Sequence, residues 1–268
     1  MALAIATNNA ALNAAASASS VNRDMETSMA RLSSGKRINS ASDDAAGVAI
    51  SSRLSAEIRG TDQAIRNSLD GQALIDTAEG AHKEIENILQ RMREVTIQAA
   101  NDTNNDQDRA NLQAEIEAMT TEIDRIAGTT TWAGADLMED ATTTFSFQVG
   151  AATGAKNQIS VTIETMNATG LGVGTGAASV VDVTDATKAN TGTGLIDAAI
   201  EDVNIQRSKL GAVSNRLNHT VNNLTNISSN LSAAKGGIED ADFALETTNL
   251  AKNQILQQAS TAMLAQAN

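Results

Sequence analysis

Between residues 74 and 99 the apolar side chains fall at Leu74, Ala78, Ala81, Ile85, Ile88, Met92, Val95 and Ala99, in alternating steps of four and three. That spacing lays one stripe along a helix and predicts a sustained heptad seam. A shorter seam follows the polar turn 101–105, at Leu112, Ile116, Met119, Ile123 and Ile126. The turn predicts an antiparallel helix pair. The longest seam runs through Ile196, Ala199, Val203, Gln206, Leu210, Val213, Leu217, Thr220, Leu224, Ile227, Leu231 and Ala234. Only Gln206 and Thr220 interrupt it. As one helix it would span roughly 60 Å at 1.5 Å per residue, so it needs partners along its whole length. The shared packing surface is expected at Ile85, Ile88, Met92, Leu210, Val213, Leu217 and Leu224.

Upstream, Leu54, Ile58, Ile65 and Leu69 continue the first helix in a shifted phase, with Gly60, Gly71 and Gly80 inside it. Each glycine costs about 1 kcal/mol against alanine, and they read as close-packing positions. Ser40 to Ala45 reads as a polar entry into this helix. Between the helical blocks the period changes to two. Residues 144–149 and 158–163 alternate apolar and polar, separated by a turn-prone stretch with Gly150 and Gly154, which predicts a β-hairpin. Residues 167–194, rich in Gly, Ala and Thr, read as loop with one further short strand at Val180 to Val183.

Composition sharpens this picture. The 268 residues contain no Pro and no Cys, and aromatics make up 1% against 41% hydrophobic residues overall. Such a chain suits long, thin helix seams better than one deep core. The net charge of −13 argues against nucleic acid and anionic membrane surfaces as partners. Without Cys, and with His82 and His219 apart in the sequence at solvent-compatible or seam-flanking positions, thiol catalysis and zinc or iron-sulfur clusters are excluded. No metal, cofactor or catalytic constellation is expected. HExxH and GxSxG motifs are absent, the glycine run 170–176 lacks nucleotide-loop spacing, and the acidic clusters at 43–44 and 239–242 read as helix-start caps. No cleaved signal or membrane-spanning run is visible, so membrane insertion is not expected.

Charge is also unevenly distributed. The first 22 residues carry no charged side chain, and 247–268 carry only Lys252. A solvated helix displays charge on its outer face, so these Ala-rich ends are expected to be covered in an assembly, or to be disordered in the free chain and order on association.

The run from Leu32 to Gly47, LSSGKRINSASDDAAG, resembles the amino-terminal signature of bacterial flagellins. The resemblance continues through Ile58-Arg59-Gly60, Leu89 to Glu94 and Glu122 to Ile126. At the other end Leu210-Gly211-Ala212, Asn215-Arg216-Leu217, Glu239 to Ala244 and Met263 to Asn268 resemble the carboxy-terminal signature. It implies a mainly α fold: a long antiparallel coiled-coil helical rod with a small β-hairpin region, its terminal helices pairing in the filament core. Residues 1–42 and 236–268 would form the inner core domain, 43–140 and 195–235 the rod, and 141–194 a short variable region. The implied function is a structural subunit that self-assembles into the flagellar filament, exported through the flagellar type III channel to the cell exterior without a cleaved signal. A hook-filament junction protein, present in few copies, is the alternative.

The implied partners are further copies of the chain, an export chaperone, the filament cap and hook-filament junction proteins. The resemblance also implies a Toll-like innate-receptor contact at Gln90, Arg91, Val95 and Glu115, matched only in part, since Val95 stands where strongly recognised relatives carry Leu. Relatives usually continue for a short apolar segment beyond the position of Asn268. Gly236-Gly237 replaces a helix-favouring pair, and at about 2 kcal/mol of lost helix stability a hinge is expected there.

Overall fold

The computed structural model describes residues 8–139, 142–174 and 181–267. Five helices dominate: α1 (Asn9–Ser34), α2 (Ala45–Ala99), α3 (Asp106–Thr129), α4 (Ala186–Glu239) and α5 (Phe243–Ala267). Two small antiparallel hairpins pair β1 (Thr131–Trp132) with β2 (Ala135–Asp136) and β3 (Thr143–Gln148) with β4 (Gln158–Ile163). The chain divides into two compact units, residues 1–59 with 228–268, and residues 60–227. No helix of the described residues is long and apolar enough to cross a membrane.

Local chemistry sets most helix ends. The Asn8 side chain accepts from the amide of Ala11 at the start of α1, and Gly35 closes its end in the left-handed region at φ 70°. Asp44 caps α2 by accepting from Gly47 N at 2.9 Å, which realises the polar entry expected at 40–45. Asn105 and Asp108 form a reciprocal capping box at α3.

In the unit of residues 60–227, the seams of α2, α3 and α4 converge on one core with the inward residues of the β3–β4 hairpin. Leu74, Ile85, Leu89, Met92, Ile116, Ile123, Ile196 and Leu210 are fully buried there. Hairpin register sets Phe145 against Val161 and Phe147 against Ile159, with the intervening Thr and Ser residues exposed. Gly71 lets β3 approach α2, since a Cβ there would meet the Phe147 ring at 3.2 Å and Leu217 at 3.3 Å. Gly80 differs from the expectation: no atom lies within 4 Å of its Cβ position, so it is no packing site.

Two sequence expectations shift in the loop region. No strand forms at 181–183, and Val180 lies outside the described residues. The stretch 186–194, expected to be loop, is instead the first part of α4, because Ala189 and Gly192 continue the buried seam from Ile196 with small residues. Asp185 accepts from Thr187 N at 2.6 Å and starts that helix.

In the other unit α1 packs against α5, and the links 35–37 and 239–241 pair as a single antiparallel bridge at Lys36 and Asp240. Arg37 N donates to Glu239 O at 2.6 Å and Ala241 N to Gly35 O at 3.0 Å. The helix break expected at Gly236-Gly237 falls instead at 240–242. The helix continues through both glycines, with Asp240 N donating to Gly236 O at 2.8 Å. Gly236 leaves room for the Asp240 carboxylate, which would lie 2.7 Å from a Cβ, and Asp242 then starts α5 by accepting from Ala244 N at 2.9 Å.

Candidate assembly and recognition surfaces

The α1–α5 pair carries large apolar side chains on its outer faces as well as in its seam. Its half-buried or buried positions on α1 include Ala14, Ala18, Asn22 and Ser28, and on α5 Glu246, Asn253, Gln257 and Ser260. Small and polar side chains thus share these positions with Val21, Met25 and Leu32 on α1 and Leu250 and Leu264 on α5, all half-buried. Other large apolar side chains face outward: Leu12 is 59% exposed, Phe243 57%, Leu245 58% and Ile255 67%, with Met29 and Met263 also exposed. Ile38 is the single buried hydrophobic residue in this unit among the described residues.

The two helices run antiparallel, held by Gln257 Nε2 donating to Asn22 Oδ1 at 2.7 Å and by the Arg31–Glu246 ion pair at 2.9 Å. Glu246 is buried, and its second oxygen and Arg31 Nε have no hydrogen-bond partner. These polar contacts hold register but contribute little burial energy of their own.

On α2 and α3, Arg91 bridges the two helices. Its Nη2 and Nε donate to Glu115 Oε1 at 2.9 and 3.1 Å, while Nη1 reaches Glu94 at 2.9 Å. The two carboxylates raise the Arg91 guanidinium above its ordinary value, chiefly through the Glu115 hydrogen bond. Gln90 is exposed beside it and donates to Glu86 at 3.4 Å. Val95 does not join this surface. It is fully buried in the seam, so of the four expected receptor-contacting residues the structure pairs Arg91 with Glu115, leaves Gln90 exposed next to Arg91 in the chain, and buries Val95. The expected seam residues Ile85, Met92, Leu210, Leu217 and Leu224 are buried, and Ile88 and Val213 are partly buried against the core.

Three buried polar residues take structural roles. His82, expected at a solvent-compatible or seam-flanking position, is fully buried, and neither ring nitrogen has a hydrogen-bond partner. Burial lowers its pKa to about 4, with Glu79 opposing and Arg207 adding to the shift. Arg207 of α4 pairs with Glu79 at 2.8 Å and with Glu86, the acids one turn before and after His82. Buried Arg109 reaches back from α3 to the carbonyls of Ala99 and Asn101 and closes the end of α2. Gln206, which interrupts the α4 seam, donates to Thr162 O at 2.8 Å and ties β4 to α4. A polar residue at a seam position was the visible signal for Gln206; Arg109 and His82 gave none.

Comparison with known proteins identifies the family. Residues 5–143 match the bacterial flagellin N-terminal helical region and residues 193–268 the bacterial flagellin C-terminal helical region. A flagellin of Halalkalibacterium halodurans is 44% identical over 243 residues, covering 91% of this chain and 88% of the relative. A flagellin of Bacillus subtilis is 44% identical over 290 residues, covering 97% and 95%. Among solved structures, a flagellar hook-associated protein from Vibrio parahaemolyticus aligns with a TM-score of 0.60, covering 74% of this chain and all of that one. At 16% identity that is a likeness of fold alone.

Proposed function

This chain belongs to the bacterial flagellins and is a structural subunit of the flagellar filament, and on that premise we propose that copies associate through the outward apolar faces of α1 and α5. The supporting observation is the set of large apolar side chains exposed on the pair's outer faces. Side chains such as Phe243 and Ile255, more than half exposed, recover burial energy only against another chain. In this reading residues 1–42 and 236–268 supply the filament's inner core domain. Residues 43–140 and 195–235 carry the rod helices, and 141–194 the variable region.

Seeded elongation of the full chain, followed by sedimentation and negative-stain microscopy, is the test. Ile255→Lys is expected to abolish growth while leaving the hairpin-bearing unit folded, and normal growth of that variant would refute the assignment. Long filaments from the unaltered chain also separate this role from that of a junction protein present in few copies.

Export in an unfolded state through the flagellar type III channel, with an export chaperone, and contact with the filament cap and junction proteins complete the proposal. Recognition by a Toll-like innate receptor would use Gln90, Arg91 and Glu115, of which Arg91 and Glu115 are held together by the α2–α3 ion pair. Val95 would shape that surface from below. Unchanged receptor signalling by Arg91→Ala with Glu115→Ala would remove this part.

A further inference from the structure

Lys36, Arg59, Lys235 and Glu239, with the Ser52 and Ser55 side chains on α2, line a cleft of about 600 Å³ within the unit of residues 1–59 and 228–268. Two lysines converge on the single carboxylate of Glu239, Lys36 at 3.0 Å and Lys235 at 3.9 Å. Three cations against one anion leave the cleft net positive, and exposed Arg59 stands at its edge. The other unit is its electrostatic complement: residues 60–227 carry 11 basic and 23 acidic side chains, whereas the unit that holds the cleft carries 8 and 9. When copies crowd together, contacts between the acidic units repel, and the cleft is a surface that attracts them.

We propose that this cleft receives an acidic side chain from residues 60–227 of a second copy, with Arg59 as the charge partner and the serine hydroxyls as neutral donors. The inference rests on the filament reading and adds to it a polar contact separate from the apolar α1–α5 faces. Arg59 is exposed, so its replacement leaves the monomer's packing intact. Arg53, also exposed on α2 but outside the cleft lining, provides a charge-matched control.

The experiment measures the critical concentration for elongation from short seeds of the same chain, for wild type, Arg59→Glu, Arg59→Lys and Arg53→Glu, with circular dichroism of each monomer. At about 10 mM salt, Arg59→Glu is expected to raise the critical concentration at least about tenfold. That difference should close near 1 M salt, where screening falls to about 3 Å. Arg59→Lys should stay near wild type and Arg53→Glu should shift much less. Equal effects of Arg59→Glu and Arg53→Glu, or a defect in Arg59→Glu that persists at high salt, would overturn the cleft's role. Wild-type chain that never elongates seeds would overturn the filament reading together with it.

Discussion

At the scale of single residues, the side chains with the largest thermodynamic consequences are buried polar groups that no seam pattern calls for. His82 sits in a fully buried position between Glu79 and Glu86, with Arg207 across from it, and has no hydrogen-bond partner of its own. Its pKa is lowered to about 4 in the folded chain, against about 6.5 when unfolded. The unfolded state therefore binds the extra proton first as pH falls. The folded state has its full advantage above about pH 6.5 and loses it progressively toward pH 4, by about 3 kcal/mol in all. Denaturant unfolding of the hairpin-bearing unit across that range should show the loss, and His82→Leu should flatten the difference. Arg109 is the complementary case, a buried cation whose guanidinium satisfies the last carbonyls of α2. Arg109→Met should cost about 2 kcal/mol of stability, read by thermal unfolding, because those carbonyls lose a charged donor.

At the scale of elements, helix existence and packing faces were legible because heptad spacing survives substitution by any apolar residue. What the pattern missed depends on backbone conformation or on small residues. The β1–β2 hairpin turns on Ala133 and Gly134, both at positive φ, 50° and 83°. A two-residue turn of that hand normally shows itself as Asn-Gly or Asp-Gly, and alanine hides it. Ala133→Asn should therefore stabilise the chain by a few tenths of a kcal/mol up to about 1 kcal/mol, measured by thermal unfolding, since asparagine tolerates the left-handed region better. The start of α4 was hidden in the same way, by buried Ala189 and Gly192 within a Gly- and Thr-rich stretch that resembles loop. Gly71 and Gly80 look alike in sequence, yet only one has neighbours. Gly80→Ala should gain about 1 kcal/mol of helix stability, while Gly71→Ala should gain less because its Cβ presses on Phe147 and Leu217. Of the residues proposed for receptor contact, Arg91 and Glu115 lie on α2 and α3 and pair with each other. The heptad phase already set Val95 on the seam where the structure buries it.

At the scale of the whole molecule, the two units differ in how much of their stability is internal. Residues 60–227 enclose a continuous hydrophobic core drawn from three helices and a hairpin. Residues 1–59 with 228–268 bury Ile38 and a handful of small or polar side chains, leave large apolar ones such as Val21, Met25, Leu32 and Leu250 half-buried, and expose Leu12, Phe243, Leu245 and Ile255. Conformational entropy costs about 1–2 kcal/mol per ordered residue, and a seam in which Ala, Ser, Asn and Gln stand among only half-buried Val21, Met25, Leu32, Leu250 and Leu264 offsets only part of it. The α1–α5 pair should therefore open locally at low free energy in the monomer and close when other copies cover Leu12, Phe243 and Ile255. Hydrogen exchange distinguishes the two states directly. In the monomer, amides of 9–34 and 243–267 should exchange orders of magnitude faster than those of α3 and the buried half of α2. In filaments the terminal helices should gain protection while the core of 60–227 changes little. Equal protection of both units in the monomer would mean that the pair is stable alone, and the apolar faces would then need another reason to be exposed.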